Sequence, residues 1–361
     1  MTSVLLAGGG TAGHVNPLLA VADAWRRADA DVTIGVLGTA EGLEARLVPA
    51  RGYELLTIPR VPFPRRPNGA ALRFPGRFRD AVRRTRALLR ERDVDVVVGF
   101  GGYASAPAYV AARAERIPFV VHEANARPGI ANRLGAWLGG IVATTFPGTP
   151  MRRAHVVGMP LRAEIVGLDR RAERPRALAE FGLDAERPVL LVTGGSTGAR
   201  RLNETVSASI VPLLGSGWQV LHITGTGRGG TDPGLDGYHV IEYCDQMHLA
   251  LAAADLVVCR SGAATVTELA AVGLASVLVP YPVGNGEQKL NAAELLDAGA
   301  AILVDDAAFT PGWVSDTLIP LLTGRSEIAR MTAAAATVGR RDAADTVVGL
   351  ALEAVAAKRV G

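Results

Sequence analysis

The chain has 361 residues, 49% hydrophobic and 20% charged, with a formal net charge of only +3. At about 100–200 residues per domain, this length predicts two domains, and the balanced composition excludes a disordered chain or a collagen-like repeat. Cys244 and Cys259 are too few for a disulfide-stapled secreted fold and point to a reducing compartment.

The N-terminal MTSVLLAGGG has no basic stretch, and its apolar run stops at a glycine cluster, so no secretory signal is expected. No apolar run reaches about 18 residues, the length a membrane-spanning helix needs. Short apolar runs predict strands at 3–7, 31–37, 54–58, 95–99, 119–122 and 141–144. After about residue 155 the pattern restarts, with strands at 189–193, 219–224, 256–259, 276–279 and 301–304. These runs are rich in Val, Ile and Leu and do not alternate, as in parallel strands covered on both faces. Helical stretches lie between them, among them 17–28, 81–92 and 263–272. The alternation predicts an α/β fold of two Rossmann-like domains. The expected division is 1–160 and 161–339, with a C-terminal helix in 340–361 packing back on the first domain.

The small net charge hides an asymmetry. Residues 60–92 carry eleven arginines against Asp80 and Glu91, a net of +9, so the rest of the chain nets −6. A nucleic-acid binder would spread its positive charge more widely, so no nucleic-acid partner is expected.

Each half opens with a strand, a Gly-rich turn and a helix: LLAGGGTAGHVNP in the first, LLVTGGSTGARRLN in the second. Glycine permits close backbone approach, and the amides of a helix N-terminus favour an anion. Gly8, Gly10 and Gly13 match the dinucleotide pattern G-x-G-x-x-G, but the second strand does not end in the acid that would hold a ribose. The strand ends at Thr39 with Glu41 the only nearby candidate, which argues against a nicotinamide dehydrogenase. His14, where the first turn enters its helix, reads either as a residue bonding the loop or as a general base. The second turn lacks the lysine of a phosphate-binding P-loop: Ala199 and Arg200 stand there instead. Glu268 can accept both hydroxyls of a ribose, although periodicity alone favours a solvated helix charge. Asp93 and Asp95 have the spacing of an acidic metal motif, yet they open a buried strand and are read as strand-entry residues. The six histidines show no ligand spacing, and no metal site is expected.

Taken together, GGGTAGHVNP, GFGGYASAP, HEANARPG, GMPLR, GGSTGARRLN, CRSGAATVTELAAVGLASVLVP and GEQKLNA run in order through nearly the whole chain. This set resembles the MurG family of UDP-N-acetylglucosamine transferases. The resemblance implies two Rossmann-like domains facing a cleft, the glycosyltransferase-B architecture. It also implies inverting transfer of N-acetylglucosamine from the UDP-sugar to the 4-hydroxyl of the muramyl sugar of lipid I, without a cofactor or metal.

On that resemblance, Ser196 contacts the diphosphate, Arg162 the nucleotide side and Glu268 the ribose. The amides of Gly262, Ala263 and Ala264 face the sugar and phosphates, and Glu287, Gln288 and Asn291 read the sugar hydroxyls. Thr11, Gly13, Tyr103, Ser105, Glu123 and Asn125 line the acceptor side, with His14 as the base. Two positions depart from the family pattern. Met159 stands where Asn is common, and Glu287 where many members have Gln, so a carboxylate that only accepts replaces an amide that also donates. Because the acceptor is an undecaprenyl lipid, Phe63, Arg65, Arg66, Arg73, Phe74 and Arg77 are expected to touch the anionic cytoplasmic face of the cell membrane peripherally. The plainer reading is an exposed basic loop and helix in a chain whose cations are 36 Arg and 2 Lys. A UDP-N-acetylglucosamine epimerase of the same architecture is the alternative activity.

Overall fold

The computed structural model describes residues 2–64, 69–195, 198–228, 233–283 and 285–360. The chain divides into two compact units, residues 1–162 with 341–361, and residues 163–340.

The first unit runs β1 (Ser3–Ala7), α1 (Ala12–Ala28), β2 (Thr33–Gly38), α2 (Glu44–Ala50), β3 (Glu54–Thr57), α3 (Gly69–Glu91), β4 (Val96–Gly99), α4 (Ser105–Ala114), β5 (Phe119–Glu123), α5 (Ile130–Trp137), β6 (Ile141–Thr144) and β7 (His155–Val156). Its seven strands form one parallel sheet in the order β3-β2-β1-β4-β5-β6-β7. Strand order reverses between β1 and β4, where Ala7 pairs with Gly99. In doubly wound sheets such a switch point opens the crevice in which ligands bind.

Apolar residues on both faces of these strands explain the runs in the sequence. On one face Val4, Leu6, Val96 and Val98 pack with Val15, Leu18 and Trp25 of α1. Ala344, Val347, Val348, Ala351 and Val355 of the C-terminal helix Ala343–Val360 complete that layer. On the other face Leu5, Ala7, Val97 and Val121 pack with Ala81 and Leu89 of α3 and with Ala108 and Tyr109 of α4. Full burial of a side chain as large as Trp25, which is 1% exposed, is worth about 2–3 kcal/mol.

The second unit holds β8 (Val189–Thr193), β9 (Gln219–Ile223), β10 (Tyr238–Ile241), β11 (Leu256–Cys259), β12 (Ser276–Leu278) and β13 (Ala301–Leu303). They form a parallel sheet in the order β10-β9-β8-β11-β12-β13. The switch point lies between β8 and β11, with Thr193 beside Cys259. Both Gly-rich turns therefore leave their sheets at the position where α/β folds bind ligands.

Two short strands, β7 and β10, are absent from the sequence expectation. Both residues of β7 are exposed, and β10 is a half-buried edge strand. Neither makes an apolar run. Helix α1 starts at Ala12 rather than 17, so Pro17 lies inside it, and α3 starts at Gly69 and runs through Pro75. Asp95 accepts the backbone N–H of Ser3 at 2.9 Å, tying the entries of β1 and β4 together.

Candidate active site

In the first unit the turn after β1 and the turn after β4 meet at the switch point. Ser105 is fully buried, and its hydroxyl lies 2.8 Å from the carbonyls of both Ala7 and Gly101. Its single proton is shared between them, so Ser105 pins the two turns together and points inward. Tyr103 is half-buried, with the Arg60 guanidinium 4.5 Å from its ring centroid and donating to its hydroxyl at 3.1 Å.

His14 enters α1 three residues after the cap, Thr11, and both lie at the open end of the turn with Gly13. The imidazole Nδ1 is 3.1 Å from the Gly9 carbonyl oxygen and 3.2 Å from Thr11 Oγ1. A carbonyl can only accept, so this bond puts the proton on Nδ1 and leaves the lone pair on Nε2. Nε2 lies beside Gly101, where a Cβ would come within 3.1 Å of it. Burial lowers the pKa of His14; the Gly9 carbonyl and the charges of Glu123 and Glu44 oppose it without reversing the shift. The imidazole is therefore neutral near pH 7, the state a base needs.

Glu123 is 3% exposed. It accepts from the backbone N–H groups of Asn125 and Gly129 and from Asn132 Nδ2, each at 2.9 Å. Its carboxylate thus shapes the 124–129 loop, on which Asn125 is half-buried and Arg127 exposed.

The sequence reading missed Glu44. It is fully buried and accepts from Gly10 N–H at 2.9 Å and from Thr39 N–H and hydroxyl at 2.9 and 2.8 Å. A carboxylate seated on the amide of Gly10 opposes a pyrophosphate at the same place, which removes the physical basis for a dinucleotide there. Glu41, the nearby candidate for holding a ribose, is exposed. The signal in the sequence is the set of small residues Gly9, Gly38 and Gly42, whose missing Cβ atoms make room for the Glu44 side chain.

In the second unit, Gly262 caps the helix Ala263–Val272 without a side-chain hydrogen bond, and no acid lies in its first turn. The amides of Ala263 and Ala264 thus stand at a helix N-terminus open to an anion. Buried Ser261 precedes them, and among the described residues its hydroxyl has no partner. Glu268 lies half-buried on the same helix. Asn291 is 1% exposed and donates to the Ser261 carbonyl at 3.4 Å, which ties the helix Glu287–Asn291 to the end of β11. Gln288 accepts the Tyr281 N–H at 2.9 Å, and half-buried Glu287 begins that helix after Gly286. Beneath them Arg260 pairs with Asp306 at 2.6 Å. Burial pushes the neighbouring Cys259 thiol up to about 12 against the pull of Arg260, so it is no thiolate at neutral pH. Arg162 is half-buried at the end of the first unit's opening segment. Ser196 lies outside the described residues.

Arg65 and Arg66 also lie outside the described residues. Phe63, Phe74 and Phe78 form a half-buried ring cluster with centroids 5.3–6.4 Å apart, and Phe74 and Phe78 of α3 pack against the core. Arg73 and Arg77 are exposed, as is Leu72 at 86%. On α5, which packs beside α4, Ile130 and Trp137 are 63% and 81% exposed. Among the described residues no group of three His, Cys, Asp or Glu could hold a metal ion, and no helix is long and apolar enough to cross a membrane.

Comparison with known proteins identifies the family. Residues 4–143 match the glycosyltransferase family 28 N-terminal domain, and residues 189–347 the glycosyltransferase family 28 C-terminal domain. A relative from Leifsonia xyli subsp. xyli is 62% identical over 97% of this chain and 98% of its own length. One from Streptomyces coelicolor is 50% identical over 98% of this chain and 99% of its own. Both are named UDP-N-acetylglucosamine--N-acetylmuramyl-(pentapeptide) pyrophosphoryl-undecaprenol N-acetylglucosamine transferase. The crystal structure of Acinetobacter baumannii MurG superposes with a TM-score of 0.80 at 29% identity, covering 98% of this chain and 100% of that one. A putative UDP-N-acetylglucosamine 2-epimerase from Listeria monocytogenes shares the fold, with a TM-score of 0.69 over 96% of this chain and 94% of that one, at only 13% identity. The chain belongs to glycosyltransferase family 28, in the MurG family.

Proposed function

We propose that the protein transfers N-acetylglucosamine from UDP-N-acetylglucosamine to the 4-hydroxyl of the muramyl sugar of lipid I, forming lipid II with inversion at the anomeric carbon. The observation that carries this reading is His14, held by the Gly9 carbonyl in the tautomer that leaves Nε2 unprotonated. The names of relatives at 50–62% identity supply the substrates.

Nε2 of His14 takes the proton of the acceptor hydroxyl as its oxygen attacks the anomeric carbon from the face opposite UDP. The bond to the UDP oxygen breaks, and the negative charge passes to the diphosphate. The amides of Ala263 and Ala264, with Arg162 and Ser196, are the groups we assign to that charge. Glu268 holds the ribose, and Glu287, Gln288 and Asn291 the donor sugar. Thr11, Gly13, Tyr103 and Asn125 receive the acceptor, while Ser105 and Glu123 hold the loops that carry them. The imidazolium then returns its proton to water.

The lipid tail of the acceptor places the reaction at an anionic membrane surface, and we assign this contact to the α3 segment on the cytoplasmic face. Arg73, Arg77 and exposed Leu72 support it, as do Ile130 and Trp137 of α5. Near-surface charges contribute about 1 kcal/mol each.

The test is a transfer assay with UDP-N-acetylglucosamine and a lipid I analogue, which should yield the disaccharide lipid and UDP. Epimerised UDP-sugar formed without acceptor would overturn the reading. Binding to anionic vesicles should weaken with salt and in a triple Arg→Ser variant at 65, 66 and 73. Equal binding to neutral vesicles would remove the membrane assignment.

A further inference from the structure

The Gly9–Gly10 peptide group is bonded at both ends. Its N–H, on Gly10, donates to Glu44 Oε2 at 2.9 Å. Its carbonyl, on Gly9, faces His14 Nδ1 at 3.1 Å. The peptide is trans, so its donor and acceptor point opposite ways. One peptide group thus bridges a buried carboxylate and an imidazole that never touch.

We propose that Glu44 is a positioning residue for His14, acting through the Gly9–Gly10 peptide. An amide that donates to an anion carries more negative charge on its oxygen and accepts more strongly. The relay therefore holds the proton on Nδ1, fixes the ring and keeps Nε2 basic. It does for His14 what a directly bonded carboxylate does for other catalytic histidines.

The surroundings fit the role. The other oxygen of Glu44, Oε1, accepts from the Thr39 N–H and hydroxyl, so it stays bonded through the N–H when the hydroxyl is removed. Burial alone would raise its pKa, but the hydrogen bonds from Gly10, Thr39 and its own backbone bring it below the ordinary carboxylate range, so it is ionised. Gly9, Gly38 and Gly42 give it space: a Cβ on any of them would strike the Glu44 side chain. Gly10 has φ +89°, a left-handed conformation that glycine adopts without strain. The other groups near His14 are Glu123 of β5 and, over Gly10, Tyr103 with Arg60 on its ring.

The proposal rests on His14 as the base, and two measurements test it separately from that assignment. The first is 15N NMR of histidine-labelled wild-type protein, with the His14 signals assigned by their loss in His14→Gln. The Nδ1–H tautomer is expected; a predominantly Nε2–H ring would overturn the relay, whatever the chemistry of His14.

The second is Glu44→Gln, with Thr39→Val as a control that removes one hydrogen bond to Glu44 but leaves the bond to Gly10. Glu44→Gln should lower kcat roughly 10- to 100-fold, below or at the lower edge of what a whole general base contributes. Donor KM should stay within about twofold, and the acid limb of the kcat–pH profile should move to lower pH, because a charge that raises the His14 pKa is gone. Thr39→Val should keep wild-type kcat and profile. A folded Glu44→Gln protein with wild-type kcat and pH profile overturns the proposal, as does a Thr39→Val protein that loses activity to the same extent. Should Glu44→Gln fail to fold, the wild-type tautomer decides. His14→Ala with unchanged kcat would sink the base assignment and leave the tautomer result standing.

Discussion

Asn132 Nδ2 donates to Glu123 Oε2 at 2.9 Å, while Asn132 Oδ1 accepts the Tyr109 hydroxyl at 2.9 Å. Asn132 is 2% exposed and Glu123 3%, so the pair is a dry link from α5 to the loop carrying Asn125. Asn132→Leu leaves the Tyr109 hydroxyl without its acceptor and Glu123 short of one donor. The expected cost is about 2–4 kcal/mol in urea unfolding of the first unit. The acceptor KM should rise as the 124–129 loop loosens, with donor KM unchanged. A matching rise in donor KM would refute this assignment.

His14 and Glu268 belong to different units and should fail differently. Glu268→Ala removes a carboxylate assigned to two ribose hydroxyls, and UDP binding measured by calorimetry should weaken about 10- to 100-fold. His14→Ala should lower kcat by about 10²–10⁴ with UDP affinity unchanged. Loss of UDP affinity in both variants would contradict the division.

Two buried histidines set a pH dependence of stability. Burial lowers His122 to about 4 from an ordinary 6.5, against the hydrogen bond it makes to the Gly158 carbonyl. Burial alone lowers His222 to about 4. The folded protein keeps both neutral, whereas the unfolded chain protonates them near 6.5. Their contribution is therefore complete above pH 6.5 and is lost as pH falls towards 4. Each should cost about 2 kcal/mol by pH 5. Calorimetric Tm should fall between pH 7 and 5, and His222→Gln should flatten that slope for the second unit. An unchanged slope would show that His222 titrates in the folded state much as it does unfolded.

Among the described residues, eleven of the thirteen strands are legible because they centre on short apolar runs, as in Val189–Thr193, where all five residues are buried. Of the four edge strands, β7 and β10 escape because exposure removes that signal, as at His155–Val156, whereas β3 and β13 coincide with expected runs. The long start of α3 escaped because Pro75, Gly76 and a dense arginine pattern disguise a helix. At the site, the turns themselves stood out through their glycines. What the sequence could not reveal was which polar groups face inward. Ser105 and Glu123 look like ligand-binding residues in a motif, yet their oxygens are bonded to the loops around them. Glu44 is hard to read because two of its three donors, the Gly10 and Thr39 amides, leave no mark on residue type, and the glycines that make room for it are spread over 34 residues.

Gly102 and Gly52 separate backbone strain from damage to the site. Both have left-handed φ, +80° and +72°, and an alanine at either pays about 1–2 kcal/mol for that conformation. Around Gly52 there is open space, so Gly52→Ala should cost that amount and leave kcat unchanged. At Gly102 a Cβ would drive into the Gly9 backbone, whose carbonyl holds His14. Gly102→Ala must therefore displace the Gly9–Gly10 peptide and should destabilise the first unit further than Gly52→Ala does. Its kcat should fall as His14 loses the acceptor for Nδ1, with donor KM unchanged. Paired measurements of Tm and kcat check this: two variants equally destabilised and equally active would mean that the Gly9 carbonyl does not govern His14.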